Sequence, residues 1–168
     1  MNSRRILSIS AAAILGASLL SGTAVAETAK APAGAKQHCL YGIADGKTTC
    51  FATYQEVLDF VADSGGSPTG RDRAATLAST LVGTLWGGYS AGSTPSYTMW
   101  NVNGGCGYAW ANVSSTINDK ASSITVTPGC RINLWQHSNI GGNFEVRYGG
   151  FGTLSLDNQI SSWETFAA

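Results

Sequence analysis

The chain has 168 residues, with ten Lys and Arg against ten Asp and Glu, 43% hydrophobic residues and four cysteines. So few charges, balanced in sign, exclude the basic stripe of a nucleic-acid binder and the polybasic patch of a protein that clings to anionic lipid. The four cysteines form no Cys-x-x-Cys pair, and only His38 and His137 could complete a zinc site, so a disulfide framework is the expected use of the thiols.

Taken in chain order, residues 1–26 read as a signal peptide. Arg4 and Arg5 precede an apolar run from Ile6 to Leu20, and Ala24-Val25-Ala26 is an Ala-x-Ala cleavage site. The run is shorter than the roughly 20 residues a spanning helix needs, so no membrane association is expected after cleavage. The expected product is a secreted, extracellular monomer starting at Glu27. It carries eight Lys and Arg against ten Asp and Glu, a net charge of −2.

Residues 27–37 read as a flexible tail, and 38–66 as a hairpin-helix segment. Two strand-like runs, Cys39-Leu40-Tyr41-Gly42 and Thr48-Thr49-Cys50-Phe51, flank Asp45-Gly46, which is a hairpin signal. Thr53-Tyr54-Gln55-Glu56 has the form of a capping box. The apolar residues Val57, Phe60 and Val61 then recur at helical spacing up to the Gly65-Gly66 stop. Residues 67–80 read as a linker.

From Leu81 to Ala168 the composition shifts to Gly, Trp, Tyr, Ser and Thr. Asn143 to Tyr148 alternates strictly, with Phe144, Val146 and Tyr148 on one face and Asn143, Glu145 and Arg147 on the other. Ser96 to Val102 is its expected counterpart, and short strands between glycine-rich turns point to a sandwich. Four cysteines allow three connectivities. Cys39 with Cys50 and Cys106 with Cys130 is the pairing expected, because each pair falls inside one segment.

Two hexapeptides then stand out: Asn118-Asp119-Lys120-Ala121-Ser122-Ser123 and Asp157-Asn158-Gln159-Ile160-Ser161-Ser162. They are copies of one Asx-Asx-x-x-Ser-Ser pattern, 39 residues apart. That is about the length of a four-stranded unit, and each copy leads into a strand-like run, Ile124 to Thr127 and Trp163 to Phe166, so an internal repeat is expected. The region from Leu81 to Phe166 resembles a pair of microbial, calcium-binding βγ-crystallin Greek-key motifs, whose calcium signature is this hexapeptide. The second motif also carries most of the family's opening corner in Trp135, Ile140 and Gly142. In the first, alignment on Trp86 puts Ala91 and Ser93 where an aromatic and a glycine belong.

The fold class implied is mainly β: a βγ-crystallin-like double Greek-key sandwich, preceded by the disulfide-pinned hairpin and helix. The resemblance also implies a crossed arrangement that binds two calcium ions, at each of which the serine at position five of one copy meets Asx oxygens of the other. Its ligands would be Asn118, Asp119 and Ser122, and Asp157, Asn158 and Ser161, with the backbone carbonyls of Lys120 and Gln159. Ser123 and Ser162 are expected to tie loop to strand. The alternative is that both loops are only Asx and Ser turns holding a corner.

Catalysis is not expected. His137 and Ser138 are neighbours in sequence without a third orienting group, and both histidines read as surface residues. Most of the five tryptophans are expected in the core and corners. A non-catalytic calcium-binding protein is the leading reading. The alternatives are an inhibitor of an extracellular metalloproteinase, since small secreted inhibitors resemble the same architecture, and a carbohydrate-binding or toxin-like module. In the inhibitor reading the partner is a protease or other macromolecule, met by Ala91 to Pro95 or Asn112 to Thr116.

Overall fold

A computed structural model describes residues 37–64 and 81–168. The signal peptide, most of the tail, the Gly65-Gly66 stop and the linker lie outside the described residues. The elements are β1 (His38–Gly42), β2 (Lys47–Phe51), α1 (Tyr54–Ser64), β3 (Leu81–Trp86), β4 (Ser96–Trp100), β5 (Ala109–Asn112), β6 (Ser123–His137), β7 (Gly141–Thr153) and β8 (Ser162–Ala167).

Two long strands organise everything C-terminal of the helix. β6 pairs with β3 through Ser123 to Val126, and with β8 through Cys130 to Trp135. β7 follows β6 along both halves, with the register broken between Val126 and Arg131. The break has a local cause. Pro128 cannot donate to a ladder, Gly129 and Gly150 have positive φ, and a Cβ on Gly149 would lie 2.8 Å from Pro128 Cα, so only glycine lets the two strands bend together here.

All eight strands are hydrogen-bonded into one continuous sheet, and each long strand serves two layers of it. The first layer runs β2-β1-β4-β3-β6-β7 and uses the first half of β6 and the end of β7. The second runs β7-β6-β8-β5 and uses their other halves. In each layer one Greek key supplies three strands and the other lends one. The sequence leads one to expect such a double Greek key, and the pairings bear it out.

The layers close on a core of Val82, Leu85, Tyr97, Met99, Ile124, Ile132, Leu134 and Trp163, all buried. A Cβ on Gly83 in the first layer would come within 2.7 Å of Ile132 in the second, which shows how tightly the layers meet. Each of these large side chains contributes about 1.5–3 kcal/mol on burial. Cys106 bonded to Cys130 ties the approach to β5 onto β6.

The N-terminal hairpin is continuous with this sandwich. β1 pairs in parallel with β4, from His38 opposite Ser96 to Gly42 opposite Trp100, and antiparallel with β2, where Cys39 faces its disulfide partner Cys50. The capping box forms as expected: Thr53 Oγ1 accepts from the Glu56 amide at 3.2 Å, and Glu56 Oε2 accepts from the Ala52 and Thr53 amides. Val57 and Val61 pack on Leu40, with Tyr54, Leu81 and Trp100 around them, so α1 covers the outer face of the first layer. Phe60, expected on that buried face, lies at its margin, 39% exposed, with its ring near Phe51 and Trp100.

One other expectation changes. His38 is buried, because β1 is an interior strand; its Nδ1 lies 2.8 Å from Ser96 Oγ, and burial pushes its pKa down, with Glu56 opposing. His137 is exposed, as expected. On β7 the apolar row Phe144, Val146 and Tyr148 faces solvent. Of the opposite row Asn143 is exposed, while Glu145 and Arg147 are half-buried, where Arg147 bonds Glu145 at 3.0 Å and Glu145 Oε2 accepts from the Ser155 amide. Those charges anchor the returning chain.

Candidate functional site

The hexapeptides form the loops entering β6 and β8, and they are tied to each other reciprocally. The Asp119 amide donates to the Ile160 carbonyl at 3.1 Å, and the Asn158 amide donates to the Ala121 carbonyl at 2.8 Å. In both bonds position two of one copy reaches position four of the other. Asp119 and Asn158 share a φ of 54°, a left-handed conformation that Asx residues tolerate better than most.

The correspondence extends outward. The Ser122 amide donates to the Trp86 carbonyl at 2.9 Å, and the Ser161 amide to that of Trp135 at 3.0 Å. Ser123 Oγ donates to the Gly88 carbonyl and Ser162 Oγ to the His137 carbonyl, each at 2.6 Å, so both sixth-position serines tie loop to strand. Ala121 and Ile160 are fully buried beneath the loops. Thus the loops are rigid at the backbone, while Asp119, Lys120, Asn158 and Gln159 are exposed.

Side chains cross as well. Ser161 Oγ donates to Asp119 Oδ1 at 3.2 Å. In the other direction Ser122 lies close enough to Asp157 to hold its carboxyl, ahead of the Tyr89 phenol, below the usual carboxylate range. Within each copy the amide donates to its neighbouring carboxylate: Asn118 to Asp119 at 2.8 Å, Asn158 to Asp157 at 3.1 Å. The Asx amide oxygens carry none of these bonds.

The clefts nevertheless differ. Asp119, Asn158, Gln159 and Ser161 line an open cavity of about 340 Å³ with Gln136 and His137. At the other cleft Tyr89 hydrogen-bonds Asp157, and its own pKa is pushed up by that bond. Tyr89 was not among the residues singled out from sequence. It sits three residues after Trp86, in the corner that departs from the family pattern. That corner is built differently: a Cβ on Gly87 would strike Pro95, and Gly92 has a φ of 90°.

The donor set suits a hard cation. A carboxylate and a hydroxyl about 3 Å apart match neighbouring oxygens around an ion bound at ~2.4 Å, and the remaining donors are oxygens too. Lys120 Nζ bonds the Thr116 carbonyl at 3.2 Å, so its charge is held by its own loop. Among the described residues no three His, Cys, Asp or Glu side chains converge, so these loops offer one carboxylate each. His38 and Ser96, the only His–Ser side-chain pair bonded among the described residues, are both buried. Of the two segments expected to meet a protease, the first exposes Ala91, Gly92 and Thr94, and the second exposes Asn112 and Ser115 while Val113 is buried and Asn112 is bonded to Asn139.

No protein-family model matches the chain, and no curated protein matches it in sequence. Among solved structures it is similar to the N-terminal domain of Protein S (17% identity, TM-score 0.41, 52% of this chain and 97% of that one). It is also similar to a βγ-crystallin domain from Flavobacterium johnsoniae (23%, 0.38, 51% and 94%). A third is a βγ-crystallin domain of Abundant Perithecial Protein from Neurospora crassa in the Ca2+-bound form (17%, 0.41, 60% and 96%). From Leu81 onward each of two Greek keys lends a strand to the other's layer, the double Greek key that the resemblance to βγ-crystallins implies.

Proposed function

We propose that this is an exported, monomeric, non-catalytic domain that binds calcium at its paired hexapeptide loops, one ion in each cleft. The observation that carries the reading is the reciprocal crossing. Asp119 with Ser161, and Asp157 with Ser122, set a carboxylate from one copy against a hydroxyl from the other on a backbone already fixed by exchanged hydrogen bonds.

Asp119, Ser161, Asn158 and the Gln159 carbonyl would serve the open cleft. Asp157, Ser122, Asn118 and the Lys120 carbonyl would serve the other. Calcium would replace the Ser-to-Asp hydrogen bond as the link between copies, and so fasten one Greek key to the other. With one carboxylate per loop, affinity falls in the range of about 10⁻⁶ to 10⁻³ M, which the millimolar calcium outside cells would satisfy.

Calorimetric titration of chelator-stripped protein with calcium chloride tests this. Two ions per chain and a higher melting temperature are expected. No heat at millimolar calcium, with melting unchanged by chelator, would leave the loops as turns only.

A further inference from the structure

Register leaves a gap in the outer face of the first layer. Gly42 on β1 stands between Trp100 on β4 and Lys47 on β2 in one cross-strand row, and Leu40 stands opposite Thr49 in the next. Side chains paired across strands share a face, and in the first of these rows the middle strand supplies none. Trp100 and Lys47 are two strand spacings apart, about 9–10 Å. Between them lies a cavity of about 220 Å³, floored by Gly42 and the buried Leu40.

The helix and the β1–β2 turn wall this gap. Phe60 of α1 meets Trp100 with ring centroids 6.1 Å apart and planes at 77°, so the two rings form a corner. From the turn Asp45 folds back over the floor: its Oδ1 accepts from the Lys47 amide at 3.1 Å, and a Cβ on Gly42 would strike that oxygen. A carboxylate and an ammonium therefore line one cavity. They do not pair with each other. Among the described residues Lys47 has no carboxylate within ion-pairing distance, and Asp45 Oδ2 accepts no hydrogen bond.

We infer that this cavity is a binding site for a small betaine, a quaternary ammonium ion that carries its own carboxylate. Its volume falls below the about 300–1,000 Å³ typical of drug-sized pockets, so the ligand has few heavy atoms. Two near-perpendicular rings beside a carboxylate attract a cation. Ring faces suit N-methyl groups, whereas the N–H donors of a primary amine would go unpaired against them. A plain cation would be repelled by Lys47 and a plain anion by Asp45, and a ligand with both signs meets both. The site shares no residue with the hexapeptide loops, so it stands or falls apart from calcium binding.

Titration of the purified protein with glycine betaine, followed in amide and indole NMR spectra, tests the assignment. Saturable shifts are expected at the Trp100 indole N–H and at the Gly42 and Lys47 amides, with or without calcium chloride. Choline supplies the cation alone and acetate the anion alone. Each should bind about tenfold more weakly than glycine betaine, the factor that 1.4 kcal/mol represents. Asp45→Asn keeps an oxygen for the Lys47 amide and loses only the charge, and Lys47→Met keeps the apolar stem. Both should weaken glycine betaine by about tenfold with the melting temperature unchanged, and Phe60→Leu, which removes one ring, should weaken it by a smaller factor. Shifts that do not saturate, or that are indifferent to both charge variants, overturn the proposal. So does choline binding as tightly as glycine betaine, since Lys47 would then have no part in the site.

Discussion

The two hexapeptide loops have nearly the same backbone and different side-chain environments. Both exchange position-two amides for position-four carbonyls, and both hang from a tryptophan carbonyl through the position-five amide. Yet the carboxylate sits second in one copy and first in the other. One cleft is open where the other is met by Tyr89, and a buried alanine underlies one loop where isoleucine underlies the other. A repeat therefore preserves what the backbone requires, and lets the ligand sphere and the packing beneath it drift apart.

The largest test of that difference lies under the loops. Ile160 fills a fully buried place that its counterpart Ala121 leaves to neighbours. Ile160→Ala should cost about 2–5 kcal/mol by leaving a cavity. Ala121→Ile, the reverse exchange, should cost about 1–3 kcal/mol through overpacking. Chemical denaturation of both variants checks this; equal and small losses would mean the loops are supported from elsewhere.

Calcium comes next. An ion bound only by the folded state, at a hundred times its dissociation constant, adds about 2.7 kcal/mol per site. The open cleft should fill first, because no phenol competes for Asp119. Asp119→Asn should therefore remove the tighter of two binding events and Asp157→Asn the weaker, each leaving the other in place. A single event lost in both variants would show that the clefts act as one site.

The sixth-position serines should separate by less. Ser162 Oγ donates to the His137 carbonyl and also accepts from the Ile140 amide at 3.0 Å, whereas for Ser123 only the bond to the Gly88 carbonyl is described. Loss of a buried hydroxyl that leaves partners unsatisfied costs about 1–3 kcal/mol. Ser162→Ala should fall at the upper end of that range and Ser123→Ala at the lower, read as the shift in denaturation midpoint.

What could be read from sequence followed from how local its physics is. The hexapeptides, the Thr53–Glu56 capping box and the alternation of Asn143 to Tyr148 are all short-range, and all appear in the structure. Alternation fixes a period of two without saying which face turns inward, so the outward row Phe144, Val146 and Tyr148 was not legible. Parallel pairing of β1 with β4 joins residues 58 apart, His38 and Ser96, and leaves no local mark; His38 consequently read as a surface residue. Tyr89 escaped because its corner keeps Trp86 but replaces the residues that would have set the register of the turn.

The smallest expected effects centre on that tyrosine and on pH. Its phenol donates to Asp157, so a cation at the second cleft must compete with a hydrogen bond that the first cleft lacks. Tyr89→Phe should raise affinity at that cleft by about twofold to fivefold, the scale of an exposed polar contact, and leave the open cleft unchanged. The same contact carries a pH signature. Ser122 and Tyr89 lower the folded-state pKa of Asp157 from its ordinary value of 3.8, so the stability it contributes is present above that value and is lost as pH falls through the lowered one. His38 acts at milder acidity: burial lowers its pKa from 6.5, so the unfolded chain takes up a proton first and stability declines as pH drops below 6.5. Melting curves of calcium-free protein should therefore show one loss beginning below pH 6.5, removed by His38→Gln, and a shallower one below pH 3.8, diminished by Tyr89→Phe. If the acid limb is identical in Tyr89→Phe, the phenol does not hold Asp157 in solution, and the two clefts differ only in where their carboxylates lie.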